Sequence, residues 1–245
     1  MDNAIYATLT RQSGLMREMQ VVANNVANAS TTGFRREGVV FAEHMSEARG
    51  RSPTTGPWGD TLSMAIARGR IADLRQGALE ATGGTLDLGI EGDGYFMIQT
   101  PDGPRLTRTG AFLTDDTGQL VTADGNPVLD DGQAPIMLPP GTVTVSVGSD
   151  GTLSADDEPM ARIGIFSVTD PTSLQHRGGT SFEATEEPVF ADTARVRQGF
   201  LEASNVDPVF EITRLIEVQR NYELGQSLLD REDERIRAAI SALSR

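Results

Sequence analysis

Histidines and clustered acidic residues are the side chains of this 245-residue chain that could do chemistry at a metal site. The two histidines, His44 and His176, are far apart in sequence and lack the short spacing of paired zinc ligands. The acids between residues 87 and 93 begin a pattern similar to a calcium loop. However, Ile98 occupies the position where such a loop needs a bidentate glutamate. The sequence therefore predicts no metal site, and we expect the turn acids to serve turn geometry.

Nucleophilic catalysis has no support in the sequence either. The chain has no cysteine, which excludes thiolate chemistry and disulfides, and no serine lies in a Gly-x-Ser-x-Gly motif. Gly92-Asp93-Gly94 is followed by Tyr95, so no phosphate-binding glycine motif is present and no cofactor is expected. A pair of carboxylates that cleaves a glycan is left open by the many acids, although nothing singles out a pair. We expect a protein that is not an enzyme, with a cell-wall glycan-cleaving enzyme as the alternative.

The charge is strongly acidic and unevenly distributed. The 21 basic residues, all arginine, and 35 acids give a net charge of −14. Residues 1–75 carry nine arginines and seven acids, residues 76–204 six and twenty, and residues 205–245 six and eight. This balance excludes nucleic acid as an expected partner, because phosphate neutralisation supplies most of that affinity. No apolar run approaches the roughly 18 residues of a membrane span, and the start does not have the pattern of a secretory signal.

The first residues show the pattern of an amphipathic helix. Apolar and small residues recur in alternating steps of four and three, as in a heptad repeat. This stripe consists of Ile5, Leu9, Gln12, Met16, Met19, Ala23 and Val26. We predict a helix over about residues 3–29, capped by Asp2 or Asn3 and ended before Gly33, which can adopt the left-handed conformation.

The last residues repeat this pattern. Asp207 can cap a helix that has Pro208 at its first position and continues nearly to Arg245. The stripe consists of Leu215, Val218, Tyr222, Gly225, Leu229, Glu232, Ile236, Ala239 and Leu243, widened by Ile212, Ile216 and Leu228. Isolated helices are marginal in water, so both stripes need a partner. That partner is either the other helix, packed on the middle domain, or further copies of the chain.

The middle of the chain has the pattern of β structure. Eighteen glycines lie between Gly77 and Gly199, many in Asp-Gly turns, with short β-rich runs between them. We predict an antiparallel sandwich or barrel-like domain over residues 81–204. Coiled-coil helices at residues 1–34 and 205–245 flank it, and together they form a second domain. Residues 35–80 are predicted to be a linker region, with a loop at about 48–60 that is rich in glycine and proline.

Several segments are more specific than these patterns. They are residues 23–36 (ANNVANASTTGFRR), 85–96 (TLDLGIEGDGYF), 106–112 (LTRTGAF), 199–208 (GFLEASNVDP) and 216–223 (IEVQRNYE). In the same order along the chain, they resemble the signatures of the axial family of bacterial flagellar rod and hook proteins. The resemblance covers essentially the whole chain.

This resemblance implies a structural subunit of the flagellar basal-body rod, which crosses the periplasm and transmits torque. In the family, terminal helices of many copies pack as coiled coils around a hollow tube, with the β domain outside. The implied partners are copies of the chain, neighbouring proximal and distal rod proteins, and the flagellar type III export apparatus. The terminal segments favour the proximal rod, with the distal rod as the alternative. We expect the stripes to stay largely disordered in the free chain and to fold on incorporation.

The stripe residues are therefore the predicted assembly interface, together with Asn24, Asn25 and Asn28. Buried asparagines can fix the register of packed helices, although a polar helix end is an alternative for these three. Arg35 and Arg36 could contact acids of a neighbouring subunit or lie in a solvated loop.

Overall fold

The computed structural model describes residues 2–47, 61–191 and 193–243. It divides into two compact units, which we call the helix unit (residues 1–27, 37–71 and 207–245) and the β unit (residues 28–36 and 72–206). The predicted loop at residues 48–60 lies outside the described residues. The predicted class, a mainly β middle with antiparallel pairing and a helix towards either end of the chain, is confirmed.

The helix unit contains two long helices, α1 (Asp2–Ala27) and α2 (Pro208–Leu243). The predicted cap of α2 is present: the Asp207 carboxylate accepts hydrogen bonds from the backbone N–H groups of Val209 and Phe210, at 2.9 and 3.1 Å. Both helices are formed within one chain and pack on each other. Of the two partners that the sequence left open, the other helix is therefore the one that covers part of each stripe.

The predicted linker at residues 35–80 contains regular structure. Strands β1 (Glu37–Glu47) and β2 (Thr61–Ala72) pair into a two-stranded sheet. The alternation of Leu62, Met64 and Ile66 with small or polar residues is a strand pattern. The segment predicted as a linker therefore contains two paired strands, one on each side of the predicted loop in the sequence.

The β unit is built from short strands. These are β3 (Leu79–Ala81), β4 (Leu88–Glu91), β5 (Tyr95–Thr100), β6 (Gly103–Thr107), β7 (Phe112–Thr114), β8 (Leu120–Thr122), β9 (Val145–Val147), β10 (Thr152–Ala155), β11 (Glu158–Arg162), β12 (Ile165–Ser167), β13 (Leu174–His176), β14 (Ser181–Ala184), β15 (Val189–Phe190), β16 (Arg195–Gln198) and β17 (Phe200–Glu202). The largest sheet has the order β13-β14-β6-β5-β12-β15, and a smaller one has the order β11-β10-β9. The pairs β16-β4, β17-β3 and β7-β8 complete the unit.

The core of the β unit is closed and apolar. One cluster centres on fully buried residues such as Leu88, Phe96 and Leu153, and a second packs Met97 and Phe182 on the other face of the large sheet. Successive residues of β5 belong to different clusters, because neighbouring side chains of a strand point to opposite faces. These strands are the β-rich runs that the sequence predicted, although their ends differ.

One predicted strand is shorter than expected. Val143, Val145 and Val147 alternate with polar residues, which is typical of a strand, but β9 begins at Val145 and Val143 is 87% exposed. The Asp156 carboxylate accepts hydrogen bonds from the backbone N–H groups of Val143 and Thr144, at 3.1 and 2.9 Å. A side chain therefore binds the backbone that would otherwise have extended the strand.

Candidate assembly interface

The helix unit buries one face of α1 against α2. The buried residues of α1 include Val21, Val22 and Asn25, while Glu211 and Val218 are buried on α2. The helices run antiparallel, since Gln12 contacts Tyr222 whereas Asn25 contacts Glu211. This face is therefore already covered within a single chain.

The predicted stripe of α1 is buried only in part: Gln12 is 8% exposed, whereas other members of the stripe are accessible. Leu9 and Met16 are 49% and 47% exposed, and Ala23 is also exposed. These three residues are seven apart and so share one side of the helix. Met19 and Val26 are half-buried at its border. The side of the stripe through Leu9, Met16 and Ala23 therefore remains accessible. The side chain of Ile5 lies outside the described part of the structure.

The predicted stripe of α2 mostly faces α1. Val218 is buried, and Leu215, Tyr222 and Leu229 are half-buried. Towards the end of the helix the same stripe becomes accessible, with Ile236 40% exposed. The side chain of Leu243 lies outside the described part. Large apolar side chains elsewhere on α2 are also exposed, by between 46% and 74%: Val209, Phe210, Ile212, Ile216, Leu224, Leu228 and Ile240.

Gln12 and Gly225 bring the two helices close together. The Gln12 side-chain Nε2 donates a hydrogen bond of 2.9 Å to the carbonyl oxygen of Tyr222. A Cβ at position 225 would lie 2.2 Å from that nitrogen, so a side chain there would force the Gln12 amide to move. Gly225 was a member of the predicted stripe, but its role here is to leave space for an amide.

Asn25 is the centre of a buried polar cluster, which we call the asparagine cluster (Asn25, Glu37 and Glu211). The amide of Asn25 donates to the Glu37 carbonyl oxygen at 2.8 Å and to Glu211 Oε2 at 3.0 Å. It also accepts from the Glu37 backbone N–H at 2.9 Å. All three residues are at most 2% exposed. Asn25 thus joins α1, β1 and α2 inside one subunit, while Asn24 and Asn28 are half-buried.

The β unit contains a second buried polar cluster, which we call the arginine cluster (Arg35, Arg108 and Glu202). Arg35 Nη1 lies 2.7 Å from Glu202 Oε1, and Arg108 Nη1 lies 3.1 Å from Glu202 Oε2. The prediction of a solvated or intersubunit Arg35 was wrong, because it is 1% exposed and paired within its own chain. Burial lowers the pKa of Arg108 and raises the pKa of the adjacent Tyr95 phenol. Arg36 is half-buried, and its backbone N–H donates to Asn205 Oδ1 at 2.7 Å.

Sequence reasoning missed Arg108 and Glu202 as important residues. Charge and periodicity gave no signal for them, because a single charged residue in a short strand looks like a solvated one. The available signal was the resemblance itself. Arg35, Arg108 and Glu202 lie in three different segments that carry it, and the fold brings these segments together.

Three family models and several known proteins match the sequence of this chain. Residues 5–35 match the family model described as "Flagella basal body rod protein". Residues 89–155 match "Flagellar hook protein FlgE/F/G D1 domain", and residues 197–242 match "Flagellar basal body rod FlgEFG protein C-terminal". The flagellar basal-body rod protein FlgF of Caulobacter vibrioides is 39% identical, with 100% of this chain and 99% of that protein covered.

Further relatives agree. FlgF of Mesorhizobium japonicum is 36% identical over 94% of this chain and 92% of that protein. The flagellar basal-body rod protein FlgG of Bacillus subtilis is 32% identical over 97% of this chain and 98% of that protein. The chain belongs to the flagellar basal-body rod protein family.

Family membership makes this chain a structural subunit of the flagellar basal-body rod and not an enzyme. The glycan-cleaving alternative is therefore set aside. In the described residues, neither helix is long and apolar enough to cross a membrane.

Proposed function

We propose that this chain assembles into the rod through its two terminal helices, which pack against the helices of other copies and of neighbouring rod proteins as coiled coils. The observation that carries the proposal is the set of exposed apolar side chains on the helix pair. Leu9 and Met16 on α1 and Ile212 and Ile216 on α2 are each close to half exposed. Apolar helix faces that are exposed to water gain stability when another helix covers them.

The proposed shaft is a hollow tube that transmits torque from the motor to the hook. Packed helix interiors have low compressibility, so many modest contacts make a stiff wall without any single strong bond. Repeated copies related by the same operation extend the wall along the axis. The accessible faces of the two helices become covered on incorporation, after delivery of the subunit by the flagellar type III export apparatus.

We place the subunit in the proximal part of the rod, next to other proximal rod proteins and below the distal rod. The support is the higher identity to the FlgF relatives of Caulobacter and Mesorhizobium than to the FlgG relative of Bacillus. A distal position is the alternative. Immunogold labelling of basal bodies that were stripped to different lengths separates the two positions, since a proximal subunit stays with the membrane-facing stub.

Substitution of Met16 by glutamate tests the assembly proposal. Met16 is 47% exposed and makes no contribution to the buried face of α1, so the change places a charge on the proposed interface with little effect on the subunit. A variant Met16→Glu is expected to abolish incorporation into purified basal bodies and swimming in soft agar, since a buried unpaired charge is costly.

The matched control is Val143→Glu in the β unit. Val143 is 87% exposed, so this variant makes the same type of change away from the helices. It is expected to retain incorporation and motility. Full motility of Met16→Glu would contradict the proposal, as would equal loss of motility in both variants when both proteins are folded by circular dichroism.

A further inference from the structure

The helix unit carries a groove on one side of the helix pair, which we call the Gln12 groove. It has a volume of about 380 Å³. Its lining residues on α1 include Arg11, Gln12 and Leu15, and those on α2 include Leu224, Leu228 and Arg231. Leu224 and Leu228 are 67% and 50% exposed, and both arginines are exposed. The groove is thus apolar along its rim and positively charged at its flanks.

Gln12 presents an unpartnered acceptor within this groove. Gln12 is only 8% exposed, and its Oε1 is buried and has no hydrogen-bond partner among the residues that the structure describes. The orientation of the amide is fixed, because only its NH2 group can donate to the Tyr222 carbonyl oxygen. A buried acceptor without a partner costs free energy, so the single chain leaves a hydrogen bond to be completed by something that enters the groove.

Gly225 keeps the groove open. A glycine inside a helix is unfavourable by about 1 kcal/mol relative to alanine. Here a side chain at position 225 would displace the Gln12 amide from its present position. Gly225 therefore lowers the stability of α2 at the position where the helix lines the Gln12 groove. Such a local conflict between sequence and fold is typical of a functional position.

Another side of α2 is complementary to the groove. Ile212 and Ile216 are each 46% exposed, and the exposed Glu223 follows on the same side. Gln219 lies between them and donates a hydrogen bond of 3.1 Å from Nε2 to Glu223 Oε1. We call Ile212, Ile216, Gln219 and Glu223 the isoleucine stripe. It offers apolar side chains to the rim of the groove, an amide donor to Gln12 Oε1, and a carboxylate to Arg11 or Arg231.

The groove and the stripe occupy different sides of one helix. At about 100° per residue, the mean direction of the groove residues of α2 lies roughly 120° around the axis from that of the stripe. A subunit therefore cannot use both in one two-fold contact with a partner. Contacts between unlike surfaces join copies head to tail, and they extend into rings or open helical arrays.

We propose that the Gln12 groove of one subunit receives the isoleucine stripe of a second copy of this chain. This rests on the proposed function and adds which surfaces meet. The stripe places Ile216 against the groove rim, the amide of Gln219 within reach of Gln12 Oε1, and the carboxylate of Glu223 beside Arg11 or Arg231. The choice of a second copy follows from the charges: the groove flanks are basic, and the stripe is acidic at one end.

Cysteine crosslinking of the full-length protein tests this contact. The chain has no cysteine, so introduced thiols are unique. Leu228→Cys marks the groove and Ile216→Cys marks the stripe, at similar exposures of 50% and 46%. Basal bodies from cells that express both variants are treated with a short bismaleimide. A crosslinked dimer is expected from the mixture, at least tenfold more than from either variant alone.

The charges provide a second measurement. Arg11→Glu combined with Arg231→Glu on the Leu228→Cys chain is expected to reduce the crosslink by at least tenfold, because like charges then face each other. Glu223→Arg on the Ile216→Cys chain is expected to restore it. Restoration would not occur if the reduction reflected misfolding of the groove.

The outcomes separate this proposal from the proposed function. If both cysteine variants enter basal bodies and support swimming but give no mixed dimer, the groove assignment is wrong while assembly through the helices stands. A crosslink to a different rod protein also overturns it, because the occupant is then not a second copy. A dimer of Leu228→Cys with itself would show a two-fold contact and contradict the head-to-tail arrangement. Val143→Cys, in the β unit, is the exposed control and should give no dimer with Leu228→Cys.

Discussion

The β unit and the helix unit solve the problem of burial differently. In the β unit, the large apolar side chains of the two clusters are covered, and fully buried residues such as Leu88, Phe96 and Phe182 lie on both faces of the main sheet. In the helix unit, one face of each helix is covered, while Leu9 on α1 and Leu224 on α2 remain 49% and 67% exposed. The β unit also exposes single apolar side chains such as Val143, but it has a closed core of its own, whereas the helix unit exposes apolar side chains along both of its helices.

Both units also contain a buried polar cluster, and the two clusters differ in charge. The arginine cluster places two guanidinium groups against one carboxylate. The asparagine cluster has a neutral amide at its centre, which bonds to the backbone of Glu37 and to the carboxylate of Glu211. Desolvation of charge is costly, so removal of a partner should cost more in the first cluster than in the second. Single substitutions in the two clusters measure this difference in free energy of unfolding.

The largest effect is expected from Glu202→Gln. The change keeps the shape of the side chain but leaves Arg35 and Arg108 buried without a counter-charge. Breaking a buried ion pair in this way costs about 3–5 kcal/mol. Urea unfolding followed by circular dichroism should show a transition of the β unit at clearly lower denaturant concentration.

The matched control for Glu202→Gln is Glu183→Gln. Glu183 also pairs with an arginine, Arg177, but both side chains are about half exposed. Exposed pairs contribute about 0–1 kcal/mol, so this variant should unfold nearly like the original protein. Equal and small losses in the two variants would show that the arginine cluster does not stabilise the β unit.

A comparable but smaller loss is expected from Gly33→Ala. Gly33 has φ +69°, and a Cβ there would lie 2.5 Å from the backbone of Arg108 and Thr109. The left-handed conformation and the collision together should cost about 3 kcal/mol. Gly83→Ala is the control, because Gly83 has φ +74° and no atom of the described residues lies within 4 Å of the added Cβ. It should lose only about 1 kcal/mol, and the difference between the variants in urea unfolding measures the close approach.

Next in size is Asn25→Asp in the helix unit. The change replaces the amide donor by a carboxylate oxygen at the point where Asn25 now contacts Glu211 at 3.0 Å. Loss of the buried hydrogen bonds and the new like-charge contact should cost about 2–3 kcal/mol. Amide hydrogen exchange should accelerate in α1 and α2 but not in the large sheet.

The control for Asn25→Asp is Gln20→Glu, which adds the same charge at an exposed position of α1. Surface substitutions of this kind usually change stability by less than about 0.5 kcal/mol. If Gln20→Glu accelerated exchange as much as Asn25→Asp, net charge on the helix, and not the asparagine cluster, would explain the result.

Sequence periodicity predicted the helices well and their packing only in part. The cap at Asp207 and the left-handed Gly33 followed from local rules, because each depends on a few adjacent backbone groups. The direction in which α1 buries its surface did not follow. Its seven-residue stripe through Leu9 and Met16 and the face through Val21 and Val22 are both apolar, and only the position of α2 decides between them.

The polar clusters could not be predicted from the sequence pattern. Arg35 and Glu202 are separated by more than 160 residues, and nothing local indicates that strand β17 will bring them together. The resemblance to the rod family pointed to the correct segments without showing what they do. Likewise, the glycine- and proline-rich residues 48–60 led to the prediction of a linker where the structure has strand β1.

The smallest expected effect concerns the acidic turns of the β unit. The Asp115 carboxylate accepts hydrogen bonds from the Thr117 hydroxyl at 2.7 Å and from the backbone N–H of Gln119 at 2.8 Å. These bonds lower the pKa of Asp115, with the Thr117 hydroxyl as the main cause. Because the folded pKa lies below the unfolded one, the stabilisation is present above the unfolded pKa, about 3.9, and is lost as pH falls through the lowered folded pKa.

Thr117→Val removes that hydroxyl and should move the pKa of Asp115 back towards its ordinary value, as followed by NMR titration of the side-chain carboxyl carbons. Thr117→Ser, which keeps a hydroxyl, should leave it low. The pKa of Asp156 is lowered mainly by the backbone N–H of Thr144 and should not move in either variant. An unchanged pKa of Asp115 in Thr117→Val would mean that backbone donors are the main cause at this turn, as they are at Asp156. The lowered pKa values of these turn aspartates would then depend mainly on backbone N–H groups and not on side-chain hydroxyls.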